Sequence, residues 1–143
     1  RGLPRLDAYE KAVNRLEMPL CYNGNLFSVE DYNRFTARFP DTDCFMYGRG
    51  LITNPGLVST IREGKQPDKA VLRKFHDCLF QEYKELLSGE RNVLFRMKEL
   101  WSYMAVSFTN YEKYAKKIKK SQHLSDYQAA VSSLFAEQEL VHI

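Results

Sequence analysis

Cysteine, histidine and tryptophan are scarce in this 143-residue chain, which has three, three and one of them. The cysteines, Cys21, Cys44 and Cys78, are odd in number and fall at no metal-ligand spacing, so a disulfide-stapled scaffold and a zinc module are both excluded. Each is expected to pack as a small hydrophobe in a reduced, cytoplasmic setting. His76, His123 and His142 are scattered, without a Cys or carboxylate at ligand spacing. No Ser/His/Asp set or carboxylate pair stands out, so no residue is assigned a catalytic or metal-binding role. No apolar run approaches the roughly 20 residues that span a bilayer. A basic-then-apolar leader is absent as well. The chain opens on Arg1 rather than Met, which suits a start inside a longer protein.

Apolar residues make up 44% of the chain and its mean hydropathy is −0.47, the balance of a globular protein. The net charge of +3 is unevenly spread. Residues 1–61 carry 7 Lys/Arg and 7 Asp/Glu, residues 62–121 carry 14 against 8, and residues 122–143 none against 3. The middle of the chain is therefore basic.

The first third repeats one plan. Pro19 to Tyr22 is short and apolar, reads as a buried parallel strand, and stops at Asn23-Gly24-Asn25. Ser28 and Asp31 then open a helix in capping-box style. Cys44 to Tyr47 is the second strand, broken by Gly48-Arg49-Gly50, and Asn54-Pro55 is expected to place Pro at the first position of another helix. Ahead of both, Asp7 to Leu16 reads as a helix with Tyr9, Ala12, Val13 and Leu16 on one side. A glycine turn of this kind can cradle an anion, with Arg49 as a positive fork, or can simply be a tight turn.

Arg62 to Pro67 is a polar Gly- and Pro-containing linker, after which the strand signal vanishes. Asp68 to Leu87 is an amphipathic helix with Val71, Leu72, Phe75, Leu79, Tyr83 and Leu86 as its stripe, closed by Ser88-Gly89. Asn92 to Phe108 is the second helix, with Val93, Met97, Leu100, Trp101 and Met104 inward. A third is capped by Thr109 with Glu112 and a fourth by Ser125 with Gln128, and the tail after Ala136 is expected to fray. Four helices with short connections predict an antiparallel bundle over 66–135. On the third helix, Tyr111, Tyr114, Ala115 and Ile118 can face inward while Lys113, Lys116, Lys117 and Lys120 face out. With Arg96 and Lys98 this is either a nucleic-acid footprint or an ordinary solvated face.

Three segments carry a family likeness. Leu20-Cys-Tyr-Asn-Gly-Asn25 with Ser28 to Tyr32, then Met46 to Leu57, resemble the flavin-phosphate end of the tRNA-dihydrouridine synthases. Phe95-Arg-Met-Lys-Glu-Leu-Trp-Ser-Tyr103 resembles the signature of their helical C-terminal domain. The resemblance implies an α/β plus all-α fold: the last βα units of a (β/α)8 TIM barrel over 1–64, then a helical tRNA-binding four-helix domain over 65–143. It implies reduction of uridine to 5,6-dihydrouridine in tRNA, with NADPH as reductant for FMN. It assigns Asn23, Gly24, Asn25, Gly48, Arg49 and Gly50 to the FMN phosphate, and Arg96 and Lys98 to tRNA; Lys113, Lys116, Lys117 and Lys120 join these on charge alone. The family usually has an acidic residue where Asn25 stands. Its protonating cysteine belongs to an earlier barrel segment that none of these residues matches, so this chain by itself is expected to be inactive. Another FMN-dependent barrel oxidoreductase acting on a small molecule, or a non-catalytic tRNA-binding fragment, are the competing readings.

Two parallel strands cannot close a barrel, so residues 1–62 are expected to need the missing half or a partner chain for independent order. Limited proteolysis should therefore cut within 1–62 well before 66–135. Equal resistance of both regions would refute this expectation.

Overall fold

The computed structural model describes residues 2–141; Arg1 and His142 lie outside the described residues. It is mostly helical, with one two-stranded parallel sheet. The order is α1 (Leu6–Arg15), β1 (Cys21–Tyr22), α2 (Val29–Arg38), β2 (Cys44–Phe45), α3 (Arg49–Thr53), α4 (Leu57–Glu63), α5 (Lys69–Leu86), α6 (Glu90–Met104), a 3-10 turn (Ala105–Ser107), α7 (Glu112–Lys120) and α8 (Leu124–Glu137). Among the described residues no helix is long and apolar enough to cross a membrane.

The β1–α2–β2 unit forms where the two apolar runs predict it. The strands pair with Cys21 opposite Cys44 and Tyr22 opposite Phe45. Ser28 caps α2 by accepting from the Asp31 amide at 3.1 Å, and the Asp31 carboxylate accepts from the Phe27 amide at 3.0 Å. Side chains alternate across a strand, and Tyr22 and Phe45 turn toward the helices. There Tyr22, Leu26, Phe35 and Phe39 form a small core flanked by Leu6, Tyr9, Phe45 and Tyr47. Tyr22 stacks on Phe35 with centroids 3.7 Å apart, and Tyr9 meets Tyr22 edge-on. The opposite face of the pair is open. Cys21 and Cys44 are exposed there, and Cys78 is exposed on α5, which corrects the expected core role of all three thiols. Helices cover only one side of this sheet, and the strands are shorter than the apolar runs. Helix α1 also differs from expectation. Val13 and Leu16 are exposed, and the helix is held instead through Leu6, through Tyr9, whose hydroxyl pairs with Thr42 at 3.0 Å, and through Arg38 with Glu10 at 2.9 Å.

Helices α5 to α8 surround the larger core, which includes Leu72, Val93, Met97, Trp101, Met104, Phe108, Tyr114, Ile118, Tyr127, Val131 and Leu134. Asp68 caps α5 through the Ala70 amide at 2.7 Å. The inward line of α5 is Leu72, His76 and Phe80, with Phe75, Leu79 and Tyr83 flanking it. Val71 and Leu86 of the expected stripe are exposed, Leu86 by 74%. Gly89 has φ of +84° and begins α6, which ends at Met104 rather than Phe108. Thr109 caps nothing. Its amide donates to the Glu139 carbonyl at 2.8 Å and its hydroxyl accepts from the Glu139 amide at 3.3 Å. Phe108 and Leu140 make an antiparallel bridge, and the Val141 amide donates to the Ser107 carbonyl at 2.8 Å. The expected frayed tail is thus docked through Val141. Nor does Ser125 cap α8, which starts one residue earlier after His123.

His76 is the unexpected member of the core, only 2% exposed. Its Nε2 lies 2.7 Å from the Tyr127 hydroxyl and its Nδ1 lies 2.8 Å from Asp77 Oδ1. The Trp101 indole N–H, which can only donate, reaches the same Tyr127 oxygen at 2.7 Å. One assignment satisfies every group. Trp101 donates to Tyr127, Tyr127 donates to His76 Nε2, and His76 Nδ1–H donates to Asp77, which Arg73 Nε also holds at 2.9 Å. The imidazole is then neutral. Burial lowers the His76 pKa, against the raising effect of Asp77.

An unfolded His titrates near 6.5. Because the folded pKa lies below that, the native chain binds fewer protons than the unfolded chain once pH drops through about 6.5, and stability falls until the folded pKa is passed. The urea midpoint should therefore drop between pH 7 and 5. A His76→Gln variant, less stable at pH 7 by about 1–3 kcal/mol, should show a flatter dependence over the same range.

Candidate functional site

The strand-end turns after β1 and β2 meet through a hydrogen bond between side chains 24 positions apart in sequence. Arg49 Nη2 donates to Asn25 Oδ1 at 2.7 Å. The same guanidinium sits 5.7 Å from the centroid of the Phe27 ring. Arg49 is exposed and makes no ion pair among the described residues. An acidic residue at 25 would neutralise the fork. The amide of Asn25 orients it and leaves its positive charge uncompensated.

The three glycines of these turns differ in what they accommodate. A Cβ on Gly24 would lie 2.0 Å from the Tyr22 hydroxyl oxygen, and one on Gly50 would lie 2.1 Å from the Leu26 carbonyl oxygen. Both are needed for internal packing, which is the tight-turn reading. Gly48 has nothing within 4 Å of its Cβ position and opens to space. It precedes α3 directly, while Gly50 is buried inside that helix and Asn23 is exposed beside the first turn. Pro55 is not the first residue of a helix. Asn54 Oδ1 accepts from the Gly56 amide at 2.9 Å, and this turn puts Gly56 at the start of α4. A cleft of about 470 Å³ opens beside this turn, lined in part by Asn54, Lys65, Asp68 and Ser107. Asn54 Nδ2 is buried with no hydrogen-bond partner among the described residues.

Helix α3 links this end to the helical region. Its Ile52 packs against the larger core, and Ser107 Oγ donates to the Thr53 carbonyl at 2.7 Å. The basic residues there fall into two groups. Lys116, Lys117 and Lys120 are exposed and make no ion pair among the described residues, while Tyr114 and Ile118 are buried and Ala115 half-buried, as the spacing predicts. Lys117 and Lys120 border a groove with Ser121, Asp126 and Ser133. The others have partners. Lys113 lies 3.7 Å from Glu137 and 4.6 Å from the centroid of the Tyr114 ring; its pKa is raised, first by the Tyr114 hydroxyl. Arg96 pairs with Glu99 at 3.2 Å. Lys98 is half-buried and donates to the Ser121 carbonyl at the end of α7, where a cation is favoured by the helix dipole. Trp101 is core, hydrogen-bonded as described.

The sequence reading missed Asp77 and Tyr127 as partners of His76, and Ser107 as the link to α3. The signal for His76 was present, since Leu72, His76 and Phe80 recur at four-residue steps. Among the described residues no group of three or more His, Cys, Asp or Glu side chains is placed to hold a metal.

Residues 5–141, which include both glycine turns and the whole helical region, match the family described as Dihydrouridine synthase (Dus). The match covers nearly the full length, and the chain belongs to this family. The family consists of oxidoreductases that reduce uridine in tRNA to dihydrouridine and are generally flavin-dependent. No curated protein matches the chain.

The two kinds of glycine separate experimentally. Gly50→Ala drives a methyl group into a backbone carbonyl and should cost about 1–3 kcal/mol in chemical unfolding. Gly48→Ala meets open space at φ −113° and should stay within about 0.5 kcal/mol of wild type.

Proposed function

We propose that this chain supplies the FMN-phosphate end and the tRNA-facing helical domain of a flavoenzyme that reduces uridine to 5,6-dihydrouridine in tRNA, with NADPH as the reductant. The observation that carries the proposal is the Arg49–Asn25 contact, which joins two separate family segments around one uncompensated cation. Residues 1–64 are read as the final βα units of a (β/α)8 barrel. Support comes from the open face of the β1–β2 pair, since parallel sheets are normally covered on both faces. Residues 65–143 are read as the tRNA-binding domain.

In this reading Arg49 binds the FMN phosphate, Asn25 orients Arg49, and Gly48 leaves room beside it, with Asn23, Gly24 and Gly50 shaping the turns. Bound FMN, once reduced, would supply a hydride to the uracil ring. The proton would come from a cysteine outside these residues, because none of Cys21, Cys44 and Cys78 matches that role. Lys116, Lys117 and Lys120 face tRNA phosphates, and Arg96 joins them from α6. Lys98 acts from behind by holding the end of α7, and Lys113 is partly satisfied by Glu137. Contacts of this type read shape and backbone charge rather than base sequence.

Binding of the chain to unmodified tRNA tests the reading. Affinity should fall steeply between about 50 and 200 mM salt, and Lys116→Ala and Lys117→Ala should each reduce the slope of log K against log salt by about 1. Absence of binding at the lower salt would overturn the tRNA-facing role and favour a barrel oxidoreductase of small molecules.

A further inference from the structure

Phe95 is the one exposed aromatic side chain among the described residues, 67% exposed on α6. It stands two residues from both Val93 and Met97, which are buried, and at about 100° per residue this puts it on the far side of the helix from the core. Ile52 of α3 packs against the core, to which α6 contributes its inner residues, so the barrel end meets α6 on the side opposite Phe95. A lone exposed hydrophobe needs no explanation, but this ring is set among cations. The Arg96 guanidinium lies 5.9 Å from its centroid. Arg91, one turn earlier on the same face, is exposed and makes no ion pair among the described residues. Lys98, three residues on, reaches the carbonyl end of α7, where Lys117 and Lys120 occupy the last turn.

We propose that Phe95 is a stacking platform for an unpaired base of tRNA, with Arg91 and Arg96 holding the phosphates on either side of it. The proposal rests on the tRNA-facing reading and adds to it a contact that charge alone does not make. An exposed flat ring within a cationic surface matches a strand that carries both phosphates and base faces. The Arg96–Glu99 pair is exposed on both sides, so Arg96 can exchange it for a phosphate at little cost. A paired base offers no face to the ring, because its neighbours in the duplex cover both sides. The platform therefore selects a single-stranded segment, a loop, bulge or end, while the α7 lysines take backbone charge from any part of the molecule. Every base has a π face, so the platform tolerates any base identity.

The test measures binding of the chain to unmodified tRNA and to a blunt RNA duplex. Phe95→Ala should weaken tRNA binding about 10-fold, within the range that loss of one stacked base costs. The slope of log K against log salt should stay unchanged, since no phosphate contact is lost. Phe95→Leu should lose as much, because it keeps apolar bulk without a π face, whereas Phe95→Tyr should bind like wild type. Affinity for the duplex should be the same for all four proteins. In Phe95→Trp the new indole should be quenched by tRNA and not by the duplex, above the constant signal of buried Trp101. Equal tRNA affinity of wild type and Phe95→Ala would overturn the platform and leave the tRNA-facing reading standing, whereas failure of wild type to bind at all would remove both. Full affinity in Phe95→Leu would overturn the platform in favour of a plain apolar contact. A dimer that dissociates in Phe95→Ala would overturn it in favour of a second copy of the chain.

Discussion

The helical region depends on a single phenol oxygen. Tyr127 on α8 is fully buried, and its hydroxyl must serve both the Trp101 indole of α6 and the His76 imidazole of α5. An unmet polar group at such a depth costs far more than a made hydrogen bond gains, so the three helices have little freedom to slide past one another. The aromatic rings around it, Phe80, Phe135 and Phe108, fill the rest of the volume. The pKa of Tyr127 is pushed well up by its burial, so this oxygen stays protonated as a donor throughout the physiological range.

The second constraint is α3. It is five residues long, yet it begins at the Arg49 turn, packs Ile52 into the larger core and takes the Ser107 hydroxyl on its last carbonyl. The glycine turns are thereby referenced to the helical region through protein contacts rather than through the Arg62–Pro67 linker. The Arg49 turn and the surface that carries the α7 lysines are thus parts of one connected framework.

What the sequence reveals and what it hides follow from the range of each interaction. Local signals hold. Ser28 with Asp31 caps α2, Asp68 caps α5, and the Lys116, Lys117 and Lys120 spacing opposite Tyr114 and Ile118 places those cations outside. Local signals fail where a distant partner outcompetes them. Thr109 has the right neighbour for a capping box, but the segment around Glu139 takes its amide and hydroxyl. Asn54 folds its side chain onto the Gly56 amide, and Pro55 becomes part of a turn. The thiols of Cys21 and Cys44 lie in apolar runs that read as buried, yet only one face of the sheet is covered. The Arg49–Asn25 contact is a tertiary fact that neither turn foretells alone.

Lys98 has one further consequence. By holding the carbonyl end of α7 from α6, it keeps the α7 cations and Arg96 on a single rigid frame instead of two helices that can rock apart. The basic surface then has the fixed spacing of a ruler. In the proposed tRNA-facing role, a polyanion would engage all of it only if its own charges recurred at the interval that the helix pair sets, so a stiff, folded strand would be favoured over a limp one.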